Sequence, residues 1–140
     1  EESGGYGVTA HLRNKDGVLV GLLAAIAHRE TPLDDRIDGL LDTHGEIHQR
    51  RISLDCPNDA KTATLAALED DLPERIAGVA VESVSTVDGF KLVLEDGTWL
   101  LVRPSGTEPK LRVYAEATSE SRVETLLDAG SAFVTPRIQS

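Results

Sequence analysis

The spacing of apolar positions changes twice along the chain and divides it into helical and extended stretches. Residues 1–15 are rich in glycine and polar side chains and read as a loop. Asp16 stands where a helix N-cap belongs. Val18, Leu19, Leu22, Leu23 and Ile26 then recur at helical spacing, which predicts a helix over 17–29 with a broad buried face. Pro32 interrupts it, and Leu33, Ile37, Leu40 and Leu41 mark a second short helix ending near Gly45. From Ile47 the period shortens. Residues 47–54 predict a strand stopped by Pro57, and Asn58 is expected to cap a helix running to about Asp71, with Leu65 and Leu68 inward and Pro73 closing it.

The stretch 79–118 predicts successive strands. Val79, Val81, Val84 and Val87 open it with a change of phase that suggests a bulge. Asp88-Gly89 and Asp96-Gly97 are tight-turn signals, leading into Phe90, Leu92 and Leu94 and into Trp99 to Val102. Leu111, Val113 and Ala115 then alternate with Arg112, Tyr114 and Glu116. Ser119 or Ser121 is expected to cap a last helix over 120–133, carrying Val123, Leu126, Leu127 and Phe133. The shift near 44–48 marks a boundary between units 1–46 and 47–140. The second unit predicts strand, helix, four strands and helix: an α+β fold with helices on one face of a mainly antiparallel sheet.

Charge narrows the chemistry. With 24 acidic against 14 basic residues, the formal net charge of -10 repels nucleic acid and anionic membranes, so neither is an expected partner. Any anionic ligand needs a local cationic cluster working against that field. Lysine occurs only at 15, 61, 91 and 110. A carboxylate-rich, lysine-poor surface suits a high-salt cytoplasm, and an ordinary acidic protein fits the composition equally. The longest apolar stretch, Val18 to Ala27, is far short of a membrane span, and no basic-then-apolar leader opens the chain. Cys56 is the only cysteine, which excludes an internal disulfide and a cysteine metal cluster and suits a reducing cytoplasm. His28, His44 and His48 lack metal-ligand spacing. The start at Glu1 instead of Met reads as the edge of a piece of a longer chain.

The string Arg103-Pro104-Ser105-Gly106-Thr107-Glu108-Pro109 is the most informative part. Arg103 leaves a strand, and its planar, permanently charged guanidinium suits phosphate. Ser105 and Thr107 offer hydroxyls. Gly106 permits positive φ and a close backbone approach, and successive amides in such a turn can form an anion-binding concavity. Glu108 is expected to orient Arg103 or cap backbone amides. On local chemistry alone the string also reads as a hairpin connection rich in turn formers.

Extended from Val102 to Tyr114, the string resembles the C-terminal phosphate-binding segment of the α-D-phosphohexomutases, which include phosphoglucomutases, phosphomannomutases and phosphoglucosamine mutases. Glu1-Glu2-Ser3-Gly4-Gly5 resembles the same family's sugar-recognition loop, and His11 to Gly17 its segment entering the next helix. The resemblance implies that Arg103, Ser105, Gly106 and Thr107 bind substrate phosphate, and that Glu1 and Ser3 bind sugar hydroxyls. It also implies that Lys15 transfers a proton. From its own residues Lys15 also reads as a surface lysine beside a helix cap, and His11 as a contact for sugar or phosphate.

The resemblance further implies the end of a third, α/β domain over 1–46 and a fourth domain of TATA-binding-protein-like fold over 47–140. The reaction it implies moves phosphate between the 1- and 6-positions of glucose or mannose through a hexose 1,6-bisphosphate, with magnesium and a phosphoserine held by earlier domains of the same enzyme. Neither a phosphoserine loop nor an aspartate-rich metal loop occurs in these residues, so this polypeptide alone is expected to lack mutase activity. Glucosamine phosphate is the alternative substrate, and a stand-alone anion-binding module the alternative role.

Overall fold

The structure is a computed structural model, which describes residues 5–12 and 14–138. It divides into two compact units, Glu1–Glu46 and Ile47–Ser140.

The first unit holds two helices, α1 (Gly17–Glu30) and α2 (Leu33–His44). Asp16 caps α1 as expected, its carboxylate accepting from the amides of Val18 (3.1 Å) and Leu19 (3.0 Å). Gly45 closes α2, its amide donating to Leu41 O at 2.7 Å. The broad buried face predicted for the first helix is not found. Val18, Leu22 and Ile26 of α1 are all more than half exposed, and neither helix has a buried residue. Two short helices without a sheet have too little surface to enclose a core.

The second unit is built on a six-stranded antiparallel sheet in the order β1-β6-β5-β4-β3-β2. Its strands are β1 (His48–Asp55), β2 (Arg75–Ile76), β3 (Val79–Ser85), β4 (Phe90–Leu94), β5 (Trp99–Pro104) and β6 (Lys110–Ala117). Helix α3 (Lys61–Asp70) follows β1, and α4 (Glu120–Ile138) ends the unit.

Period-two alternation decides the sheet's two faces. Leu92 and Leu94 of β4, Leu100 and Val102 of β5, and Leu111, Val113 and Ala115 of β6 are fully buried. Against them lie Leu68 of α3 and Val123, Leu126 and Val134 of α4, also fully buried. The contact is close enough that a Cβ at Gly130 of α4 would come within 2.8 Å of Val113 Cγ1. The alternate residues, among them Arg51, Lys91, Trp99, Arg103, Arg112 and Glu116, lie on the other face and stay at least partly exposed. Tyr114 shares that face but is buried.

Other sequence expectations also need correction. Asn58 does not cap α3. Pro57 O accepts from the Ala60 amide at 3.0 Å, so a turn occupies 58–60 and the helix begins at Lys61. The short β2 was not anticipated. It pairs with β3 through a two-residue turn in which Ala77 (φ 47) and Gly78 (φ 82) are both left-handed, and Arg122 Nη1 holds Ala77 O at 3.1 Å. Helix α4 runs past Phe133 and through Pro136 to Ile138. Arg137 bonds to Asp71 and stacks over the Phe133 ring, and Ile138 packs against the core, so tertiary contacts outweigh the lost proline hydrogen bond. Gly106 does not use positive φ, and a Cβ there would meet open space. The expected bulge is present, between Val81 and Ser83. No helix of the described residues is long and apolar enough to cross a membrane.

Candidate phosphate-binding site

Strand register gathers the cationic groups. Arg103 of β5 lies directly opposite Arg112 of β6, and Ser53 of β1 continues that row. The next row runs Leu101, Tyr114, Arg51. Like charges directly opposite each other destabilise a sheet unless something neutralises them. Here each guanidinium has its own carboxylate: Arg103 Nη1 donates to Asp88 at 2.7 Å and Arg112 Nη2 to Glu108 at 2.6 Å. Glu108 therefore pairs with Arg112 and neither orients Arg103 nor caps amides.

Tyr114 lies between the arginines. Its hydroxyl accepts from Arg103 Nη2 at 3.1 Å, and the Arg103 guanidinium carbon sits 5.1 Å from the ring centre. Burial pushes the phenol up, but hydrogen bonds from Arg103, Arg112 and Arg51 outweigh it and bring its pKa below the ordinary tyrosine value. The Tyr114 hydroxyl, and then Asp88, hold Arg103 more firmly protonated than usual against the cost of burial. Glu108 does the same for Arg112, and Arg112 lowers Glu108 in return. Arg112 Nε is buried without a hydrogen-bond partner among the described residues. A donor left so is costly and is relieved by an acceptor arriving at the site.

The loop between β5 and β6 is tied down at both ends. The Ser105 amide donates to Lys110 O at 2.9 Å, and the Ser105 hydroxyl accepts from the Glu108 amide at 3.2 Å. Ser105 is accordingly buried, with its hydroxyl proton still free to be donated. Lys61, the first residue of α3, donates Nζ to Ser105 O at 2.7 Å and to Glu108 O at 2.6 Å. The Cys56 amide holds Pro109 O at 2.9 Å, while the Cys56 thiol is sealed beside Pro57 and Thr64. Among the described residues none of the loop's hydrogen bonds uses the amides of Gly106 and Thr107 or the Thr107 hydroxyl, and both residues are exposed. Those donors remain available to an anion. The cleft of about 440 Å³ beside the loop is lined by Glu69 and Asp88, whose charges repel an anion.

The structure thus brings Arg103, Ser105, Gly106 and Thr107 together on one loop and adds Arg112, Tyr114, Arg51, Asp88 and Lys61, which were not expected. The alternation of Arg112 and Tyr114 with buried apolar residues was a usable signal for two of them. Arg51, Asp88 and Lys61 reach the site only through pairing and tertiary contacts, which spacing does not reveal.

Lys15 lies in the first unit, exposed, where it bridges to Gly7 and packs its side chain against Gly5. His11 Nε2 lies 3.2 Å from Asp16, the cap of α1. Glu1 and Ser3 lie outside the described residues. Among the described residues no group of three or more His, Cys, Asp or Glu side chains is placed to hold a metal.

The chain spans only a fraction of the curated relatives it matches. A phosphopentomutase of Thermococcus kodakarensis is 31% identical over 111 residues, which cover 79% of this chain and 24% of that protein. A probable phosphoglucosamine mutase of Methanopyrus kandleri is 42% identical over 78 residues, or 56% of this chain and 16% of that protein. A crystal structure of a phosphoglucomutase/phosphomannomutase family protein from Burkholderia thailandensis shares the fold, with a TM-score of 0.52 at 20% identity, over 71% of this chain and 19% of the other. The sequence model of the family described as "Phosphoglucomutase/phosphomannomutase, C-terminal domain" matches residues 52–130, the span holding both the arginine pair and the loop, and the chain belongs to that family of phosphomutases.

Proposed function

We propose that residues 47–140 grip the phosphate of a sugar phosphate within a longer mutase that interconverts the 1- and 6-phosphates of glucose or mannose. One observation carries this reading: Arg103 and Arg112 face each other across two strands, beside a loop whose Gly106 and Thr107 donors are unspent. Two opposed guanidiniums and two free amides match the oxygens of a phosphate dianion. The net charge of -10 makes the placement selective, because the rest of the molecule repels the ligand this corner attracts.

In this reading Arg103, Ser105, Gly106, Thr107 and Arg112 hold whichever phosphate is not reacting. A bisphosphorylated hexose passes through the same grip in either orientation. Glu1 and Ser3 recognise sugar hydroxyls, and Lys15 moves a proton. The magnesium and phosphoserine of the reaction belong to other domains of the enzyme, in the cytoplasm. In this reading the clamp contributes position and charge to phosphoryl transfer.

Relatives named as phosphoglucosamine mutases favour a second reading, in which the substrate is an amino-sugar phosphate. Titration of the chain with inorganic phosphate, glucose 6-phosphate and glucosamine 6-phosphate, followed by amide NMR, tests both. Shifts at 103–107 and 112 with all three ligands are expected. Shifts confined elsewhere sink the clamp, and a marked preference for the amino sugar transfers the assignment to the second reading.

A further inference from the structure

We propose that Lys61 is a positioning residue for the phosphate loop, its ammonium turning the Ser105 carbonyl inward so that the Gly106 amide faces the phosphate. The inference rests on the clamp reading and deepens it. Lys61 begins α3, far in sequence from the loop, yet it contacts two of the loop's carbonyls at 2.7 and 2.6 Å. Such short bonds from a charged donor are the stronger kind.

The geometry of the peptide bond does the rest. In a planar trans peptide the C=O and the next residue's N–H point in opposite directions. Fixing Ser105 O on Lys61 therefore aims the Gly106 N–H away from α3. The carbonyl, which would repel an anion, is taken out of the site by the same contact. Glu108 O is held likewise, and Pro109 after it has no N–H to aim. The loop thus gains its orientation from a helix and not from backbone strain. This explains why Gly106 needs no left-handed conformation.

Charge adds to orientation. No ion pair among the described residues uses Lys61, so its charge is not cancelled by a carboxylate. In a chain of only 4 lysines and net charge -10, an uncancelled ammonium behind an anion loop raises the local potential where phosphate docks.

The test compares wild type with Lys61→Met, Lys61→Arg and Lys61→Gln by amide NMR during titration with inorganic phosphate, alongside thermal unfolding. Lys61→Met is expected to weaken phosphate by about tenfold and to abolish the Gly106 response, as loss of one charge-assisted anchor implies. Lys61→Arg should restore the response, and Lys61→Gln, which can donate without charge, should restore part of it. An unaltered Gly106 response and affinity in Lys61→Met overturns the inference. If Lys61→Met does not fold, Lys61→Gln decides by the same criterion. A wild-type chain with no response at 103–107 instead removes the clamp reading itself, a result distinct from a responsive wild type and an equally responsive variant.

Discussion

Arg103 donates to Tyr114 and Asp88 at once and so meets phosphate already aligned. Preorganisation of this kind reduces the ordering cost of binding. In a full-length mutase carrying this domain, Arg103→Ala should weaken phosphosugar binding by about 2–4 kcal/mol, the scale of charged hydrogen bonds. Isothermal titration measures it, and unchanged affinity would count against the clamp. Tyr114 supplies a pH signature. Its folded-state pKa is depressed below the unfolded value, so the folded chain binds fewer protons in the window between them. Stability therefore climbs with pH through that window. The contribution is complete above the unfolded value of about 10 and is lost as pH falls through the folded one. Urea midpoints of wild type minus Tyr114→Phe should rise across that alkaline window, and a flat difference would refute the depressed phenol. At this scale the string 103–107 was legible because it is contiguous. Arg51, Asp88 and Lys61 were not: Asp88 is marked only as a turn residue, and nothing local places any of the three beside the loop.

At the level of elements, the turn between β3 and β4 seats the site. Gly89 has φ 100, and a Cβ there would lie 2.3 Å from Val102 O and 2.8 Å from Arg103 Cβ. Gly89→Ala should cost at least about 2 kcal/mol of stability, because neither the left-handed backbone nor the neighbouring main chain can yield cheaply. It should also displace Asp88 from Arg103. Chemical denaturation gives the first effect, and a changed phosphate response at Arg103 the second. The Asp-Gly turns and the alternation in β4 to β6 were readable, since period two and left-handed glycines leave local marks. Helix limits were less so. The start of α3 depends on a turn closed by Pro57 O, and the end of α4 on the Arg137–Asp71 contact. Both are settled by partners distant from the pattern that predicts the helix.

At the scale of the molecule, the fully buried side chains among the described residues run from Cys56 to Val134, and α1 and α2 have none. Residues 47–140 expressed alone should keep the cooperative unfolding transition of the whole chain, with a midpoint within a few degrees, because the removed unit adds little burial. Calorimetry of the two species decides it, and loss of the transition would show that α1 and α2 contribute to the core. The α+β architecture was legible because one face of the sheet is apolar throughout. The exposed stripe of α1 was not, since spacing reveals an apolar face without revealing what covers it. Cys56 gives the molecule a built-in clock. Its thiol is sealed while its amide grips Pro109, at the far end of the phosphate loop. A thiol reagent can therefore reach it only when the seam between β1, α3 and the loop opens. Labelling should slow as phosphate is added, so one unmodified side chain times the breathing of the grip.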